Sequence, residues 1–199
     1  MKDEFTLRDF TPGDFTAAAE IAAKAWGDEG GFLPPSIFPR IYGYLVRYYY
    51  MPDSPFSLAA TLNGRLCAFL LAATGEQKSS VADQWIKGQL AEEEKEIFQS
   101  YKAYLSGNSH AAEKEKFPGE VMLLLFAGIK KGSGSLLMAE FEHRCRERNI
   151  NSMLLWTDDT CDFQWYQRRN FSEVARFPAD PSLPGRNLTT LLFRKEIPR

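Results

Sequence analysis

The segment "EVMLLLFAGIKKGSGSLLMAEFEHRCRERNINSMLLWTDD", from Glu120 to Asp159, restricts the possible folds more than any other part of the chain. It opens with a near-continuous apolar run, as a strand covered on both faces would. A glycine-containing junction follows, and then Leu136, Leu137, Phe141 and Cys145 recur at helical spacing before a second β-rich run. Strand, helix, strand in this order predicts one crossover and hence a parallel strand pair. The junction has two readings. Gly132 and Gly134 could simply end a strand and let the helix pack closely. Alternatively, the first amides of a helix lack intrahelical partners and lie at the positive end of its dipole. Glycines that let an anion approach those amides, with Lys130 and Lys131 alongside, make an anion site.

The rest of the chain supplies neighbours for that unit. "FTLRDF" alternates as a short strand, and Thr11 and Pro12 mark a helix start ahead of "FTAAAEIAAKAW". "GDEGGFLPP" breaks the helix into a loop carrying Asp28 and Glu29. "SIFPRIYGYLVRYYYM" predicts a second helix with Ile41, Tyr44, Leu45 and Tyr48 on one face. In "SPFSLAATLNGRLCAFLLAAT" two β-rich runs flank Asn63 and Gly64, a pair that tolerates the positive φ angles of a tight hairpin. Residues 77–117 turn charged and helical, predicting an insertion with an apolar stripe of Val81, Trp85, Ile97, Tyr101 and Tyr104. If this insertion binds a partner or a second copy, Trp85, Phe98, Tyr101 and Tyr104 stay exposed. A short helix, a strand, a proline-rich loop and a last strand follow, giving one α/β domain over residues 1–199.

Bulk properties narrow the function classes. A net charge of −2 offers no global attraction to nucleic acid or an anionic membrane, so any anion site is local. No apolar run approaches the roughly 18 to 20 residues that span a bilayer, and "MKDEFTLRDF" has no secretory pattern. Cys67, Cys145 and Cys161 are odd in number and widely spaced, which fits a reducing cytoplasm. His143 and Cys145, two apart on a helix, point different ways, so no metal site is expected. The junction lacks the spacing of a P-loop. A dinucleotide fold is a closer rival, since "GSGSLL" is followed by Asp158 and Asp159 at the next strand end. However, Leu137 occupies the third glycine position, and only about forty residues remain to wind such a sheet.

The element order and two motifs resemble the GNAT superfamily of acyl-CoA-dependent N-acetyltransferases. Its acyl-CoA loop, Gln/Arg-x-x-Gly-x-Gly/Ala, is matched by Ile129-Lys130-Lys131-Gly132-Ser133-Gly134, with Ile129 in place of Arg or Gln. In "TDDTCDFQWYQRRNF", Tyr166 and Phe171 fall in register with the family's Tyr-x-x-x-Gly-Phe, with Asn170 where Gly is usual.

The resemblance implies a mixed, mostly antiparallel twisted sheet whose one central parallel pair splays at the acyl-CoA site. It implies acetyl-CoA as acyl donor, with its pyrophosphate on Lys130, Lys131, Gly132, Ser133, Gly134 and Ser135. The pantetheine arm would run along Leu124, Leu125 and Phe126 toward Cys161, and an amide at Leu124 or Leu125 would polarise the thioester. Tyr166 would donate to the departing thiol, and Glu120, opening the buried strand, would take the amine proton. Asp158 and Asp159, after the second strand, are the other carboxylates for that proton or, as their position favours, caps of the next helix, while Asp28 and Glu29 would line the pocket for a small-molecule or protein amine. A second reading is an acyl-CoA-binding regulatory module of the same fold without chemistry, and a homodimer is compatible with either.

Overall fold

A computed structural model describes residues 4–27, 34–75, 80–179 and 187–198. Its elements run β1 (Phe5–Asp9), α1 (Phe15–Trp26), α2 (Phe38–Tyr49), β2 (Leu58–Leu62) and β3 (Arg65–Ala73). The insertion supplies α3 (Ser80–Ile86) and α4 (Lys95–Glu115), followed by β4 (Val121–Gly128), α5 (Ser133–Glu147) and β5 (Ser152–Asp158). The chain then forms α6 (Gln164–Gln167), β6 (Ser172–Pro178) and β7 (Thr189–Glu196). Among the described residues, no helix is long and apolar enough to cross a membrane.

Local chemistry sets several boundaries. The hairpin turn between β2 and β3 falls at Asn63 and Gly64, with φ of 53° and 75°, as the Asn-Gly pair predicts. At the entry to α1, Asp14 accepts from the backbone N–H and hydroxyl of Thr11 at 2.9 and 3.1 Å. Arg8 closes on the same carboxylate at 2.6 and 2.7 Å. The structure thus differs from the simple expectation of Thr11 and Pro12 starting the helix. A 3-10 turn at Pro12–Asp14 comes first, and α1 begins at Phe15.

The seven strands form one sheet in the order β1-β2-β3-β4-β5-β7-β6. Neighbours are antiparallel except β4 and β5, which are parallel. Side chains alternate between the sheet's faces as a period of two requires. Phe69 and Leu71 join the core under α1, α2 and α4, while Leu70 and Ala72 join the core under α5. The first turn of α5 contains Ser133, Gly134 and Ser135, poor helix formers that cost up to about 1 kcal/mol each. Burial of Leu137, Met138 and Phe141 outweighs this, at about 1.5–3 kcal/mol per large side chain. Leu136, expected in the core beside Leu137, is instead exposed, because adjacent helix residues face different directions.

One irregularity positions the site. β4 and β5 pair only at Val121–Met153 and Met122–Leu154, and then part. On the other side of β4, Leu125 opposes Leu71 and Leu123 opposes Ala72, so Leu124 bulges without a partner residue in β3. Such a bulge bends the strand and re-aims its backbone. The insertion packs over the resulting gap. Phe98, Tyr101, Tyr104 and Leu105 of α4 are buried in the core, and Trp85 of α3 packs against it. The aromatic stripe that a partner-binding insertion would expose therefore faces the body of the protein. Val81, expected in the stripe, is exposed.

Candidate active site

The β4–α5 junction turns through Gly132, whose φ of 91° is left-handed and suits a residue without Cβ. The Ser133 hydroxyl closes the turn by donating to the Lys130 carbonyl at 2.7 Å. Gly128 sits in close quarters, since a Cβ there would stand 3.0 Å from both Ala68 Cβ and Ser133 Oγ and would press on both side chains. The Ser133 amide donates to Lys130 and the Leu136 amide to Gly132. The amides of Gly134 and Ser135 have no protein acceptor among the described residues. Two unpartnered first-turn amides with Lys130, Lys131 and Arg169 lining the same cleft make an anion cradle. Arg169 donates to Ser135 Oγ at 2.8 Å and lies 3.7 Å over the Trp165 ring, which fixes its guanidinium at the rim.

From this cradle a cleft of about 690 Å³ extends through the gap between β4 and β5. Residues from Leu123 to Gly128 line one side, and residues from Trp156 to Asp158 with Thr160 and Cys161 line the other. Tyr166 of α6 stands in the wall, its ring held edge-on by Phe171 at 5.4 Å and stacked on Phe193 at 6.2 Å. Burial pushes its phenol well above the ordinary value, and the neighbouring Cys161 and Asp162 add to the effect. Tyr166 thus remains a proton donor at any physiological pH. Asn170, four residues on, adopts φ of 63°, the left-handed turn that Gly makes elsewhere.

The sequence matches no family model and no curated protein. Solved structures do match it along nearly the whole chain. A GNAT-family protein from Desulfovibrio desulfuricans superposes with TM-score 0.59 at 14% identity, over 98% of this chain and 100% of that one. The ribosomal-protein-S18-alanine N-acetyltransferase from Escherichia coli gives 0.58 at 12%, over 98% and 96%. The protein yncA from Salmonella typhimurium, solved with its cofactor acetyl-CoA, gives 0.53 at 12%, over 98% and 95%.

The chain has the GNAT fold. The parallel pair, its early separation and the glycine turn are the parts of that fold on which the candidate site is built. Of the residues expected from sequence, Leu124, Leu125, Phe126, Tyr166, Cys161 and all six from Lys130 to Ser135 line the one cleft. Asp28 and Glu29 lie outside the described residues, although their neighbour Gly27 lines the cleft.

Glu120 is a correction. It precedes β4 at the end remote from the glycine turn and does not line the cleft. It is 1% exposed, accepts from Arg194 Nε at 2.8 Å and from the Phe117 amide at 3.0 Å. The opening of a GNAT-like buried strand is the paired end of the sheet, so this carboxylate ties strands together. Asp158 is a second difference. It was expected to cap α6, but its carboxylate accepts from the Thr160 amide at 2.9 Å and from the Thr160 hydroxyl. Its other oxygen accepts from the Tyr104 hydroxyl at 2.6 Å, within the cleft. Asp159 accepts from the Thr189 amide at 3.1 Å, bracing β7.

Sequence reasoning missed Arg169, Trp165, Tyr104 and Trp156. The adjacent arginines of "YQRRN", three residues past Tyr166, were a signal for Arg169 once α6 was known to abut α5. Tyr104 carried no such signal, because its partner Asp158 is 54 residues away.

Proposed function

We propose that the protein is an N-acetyltransferase that moves an acetyl group from acetyl-CoA to a primary amine by direct attack in a ternary complex. The observation that carries this is the open seam between β4 and β5, which leads from the unpartnered amides of α5 to the Tyr166 phenol. An anion cradle at one end of a narrow seam suits the diphosphate and extended arm of acetyl-CoA, which when bound supplies an acyl thioester as the electrophile.

The roles fall to residues already described. The amides of Gly134 and Ser135, with Lys130, Lys131 and Arg169, bind the pyrophosphate at a helix start. Backbone freed by the bulge at Leu124 offers an N–H where negative charge grows on the thioester oxygen. The acceptor enters as an ammonium and must shed one proton before its nitrogen attacks. As the C–N bond forms, the C–S bond breaks and the nitrogen gives up a second proton. Tyr166 donates a hydrogen bond to the departing sulfur, which ends as the free thiol, so one proton in total is released to solvent. Cys161 lines the seam near this point, and direct attack gives it no acyl intermediate to carry.

Calorimetry with acetyl-CoA and thiol release across an amine panel test the proposal together. The variant Tyr166→Phe should lower turnover by about 10²-fold with acetyl-CoA affinity preserved. Binding of acetyl-CoA with no turnover on any amine would favour the regulatory module, and absence of binding would end both readings.

A further inference from the structure

The cleft is not uniform along its length. Its basic residues are Lys130 and Lys131 of the glycine turn and Arg169, two residues past the end of α6. Toward α1, α2 and α4 the lining is aromatic. Trp26, Phe38 and Tyr42 form one group, with Tyr42 centred 6.1 Å from Trp26 and 5.7 Å from Phe38. Tyr101, Tyr104 and Trp156 form another, with Tyr104 edge-on to Trp156 at 5.7 Å. Among the described residues, two carboxylates line the cleft, Asp158 and Asp162. Asp162 is exposed and lies 3.4 Å from Arg168. Asp158 shares a face of β5 with Trp156, two residues before it, and is held by Tyr104 and Thr160.

We infer that the acceptor is a primary amine carried on an aromatic body, with its ammonium seated at Asp158 and Tyr104 and its ring among the tyrosines and tryptophans. The inference rests on the acetyltransferase reading above and adds the substrate class. One fixed carboxylate matches one ammonium. Ring faces attract a cation and stack on an aromatic body, the mixed apolar and cationic chemistry of an arylalkylamine. A polyamine would need carboxylates spaced to meet its further charges, and the aromatic walls supply none among the described residues. A peptide would need backbone partners along an open groove, where this cleft presents rings. Because Tyr101 and Tyr104 come from α4, the insertion contributes one of the two aromatic groups that make this choice.

The test compares 2-phenylethylamine, spermidine and a short peptide with a free N-terminal alanine, by thiol release from acetyl-CoA. We expect kcat/KM for 2-phenylethylamine to exceed both others by about tenfold or more. Calorimetry on CoA-saturated protein should show 2-phenylethylamine binding about tenfold or more tighter than 2-phenylethanol, which lacks the charge. The variant Asp158→Asn should raise KM for the amine by about 10- to 100-fold with acetyl-CoA affinity unchanged. If acetyl-CoA binds but spermidine or the peptide is used as well as 2-phenylethylamine, the inference fails while the acetyltransferase reading stands. Equal binding of amine and alcohol, or a folded Asp158→Asn protein with unchanged KM, overturns it equally. If that variant does not fold, the amine panel and the amine–alcohol pair decide on the unaltered protein. Loss of acetyl-CoA binding in the unaltered protein overturns the earlier reading instead.

Discussion

At the Asp14 carboxyl, burial pushes the pKa up, but Arg8 and the two Thr11 donors outweigh it and hold the group below its ordinary value. A depressed carboxylate stabilises the fold fully above its unfolded pKa near 4, and the contribution is lost as pH falls through the lowered folded value. Asp14→Asn should therefore cost about 1–2 kcal/mol at neutral pH. The gap between variant and parent in denaturant titrations should close below about pH 4. At Glu120, Arg194 is 13% exposed and the carboxylate fully buried. Glu120→Ala should destabilise by about 2–4 kcal/mol while leaving turnover per folded molecule unchanged, which separates a tie between strands from a base. Tyr166 was legible in the sequence because a short local motif fixes its register. Glu120 was misread because its place beside a buried strand does not reveal which end of that strand opens.

The elements that build the site are the glycine turn and the two strands it joins. Gly132 at φ of 91° is the position where a side chain is strained whatever the space around it. Gly132→Ala should lower stability by about 1–2 kcal/mol, seen as a lower denaturation midpoint, and should weaken acetyl-CoA by shifting the helix start. Asn170, at φ of 63°, should accept Gly without loss and resist a β-branched residue. Helices, hairpin and crossover were readable because each is announced locally, by apolar period or by turn chemistry. The bulge at Leu124 was not, since a run of Leu123, Leu124 and Leu125 looks the same whether paired or displaced. The aromatic lining was visible as residues but not as a site. Tyr42 and Tyr101 line one cleft only because the insertion folds back over the sheet.

For the molecule as a whole, a net charge of −2 conceals a basic rim around one cleft. Acetyl-CoA binding should weaken markedly as salt rises from about 0.01 M to about 1 M, because the screening length falls from about 30 Å to about 3 Å. Occupancy should also raise thermal stability, by about 2.7 kcal/mol at a ligand concentration near 100 times Kd. The proposed binding mode sets the arm of acetyl-CoA where β4 and β5 part, and it predicts slowed amide exchange on both strands when acetyl-CoA is added. The same split matters during synthesis. β5 shares two residue pairs with β4 but seven with β7, from Ser152 to Asp158. A nascent polypeptide halted before Thr189 would leave "SMLLWTD" with a bare edge and oily flanks. In such a ribosome-bound fragment that edge stays open until β7 arrives to pair with it.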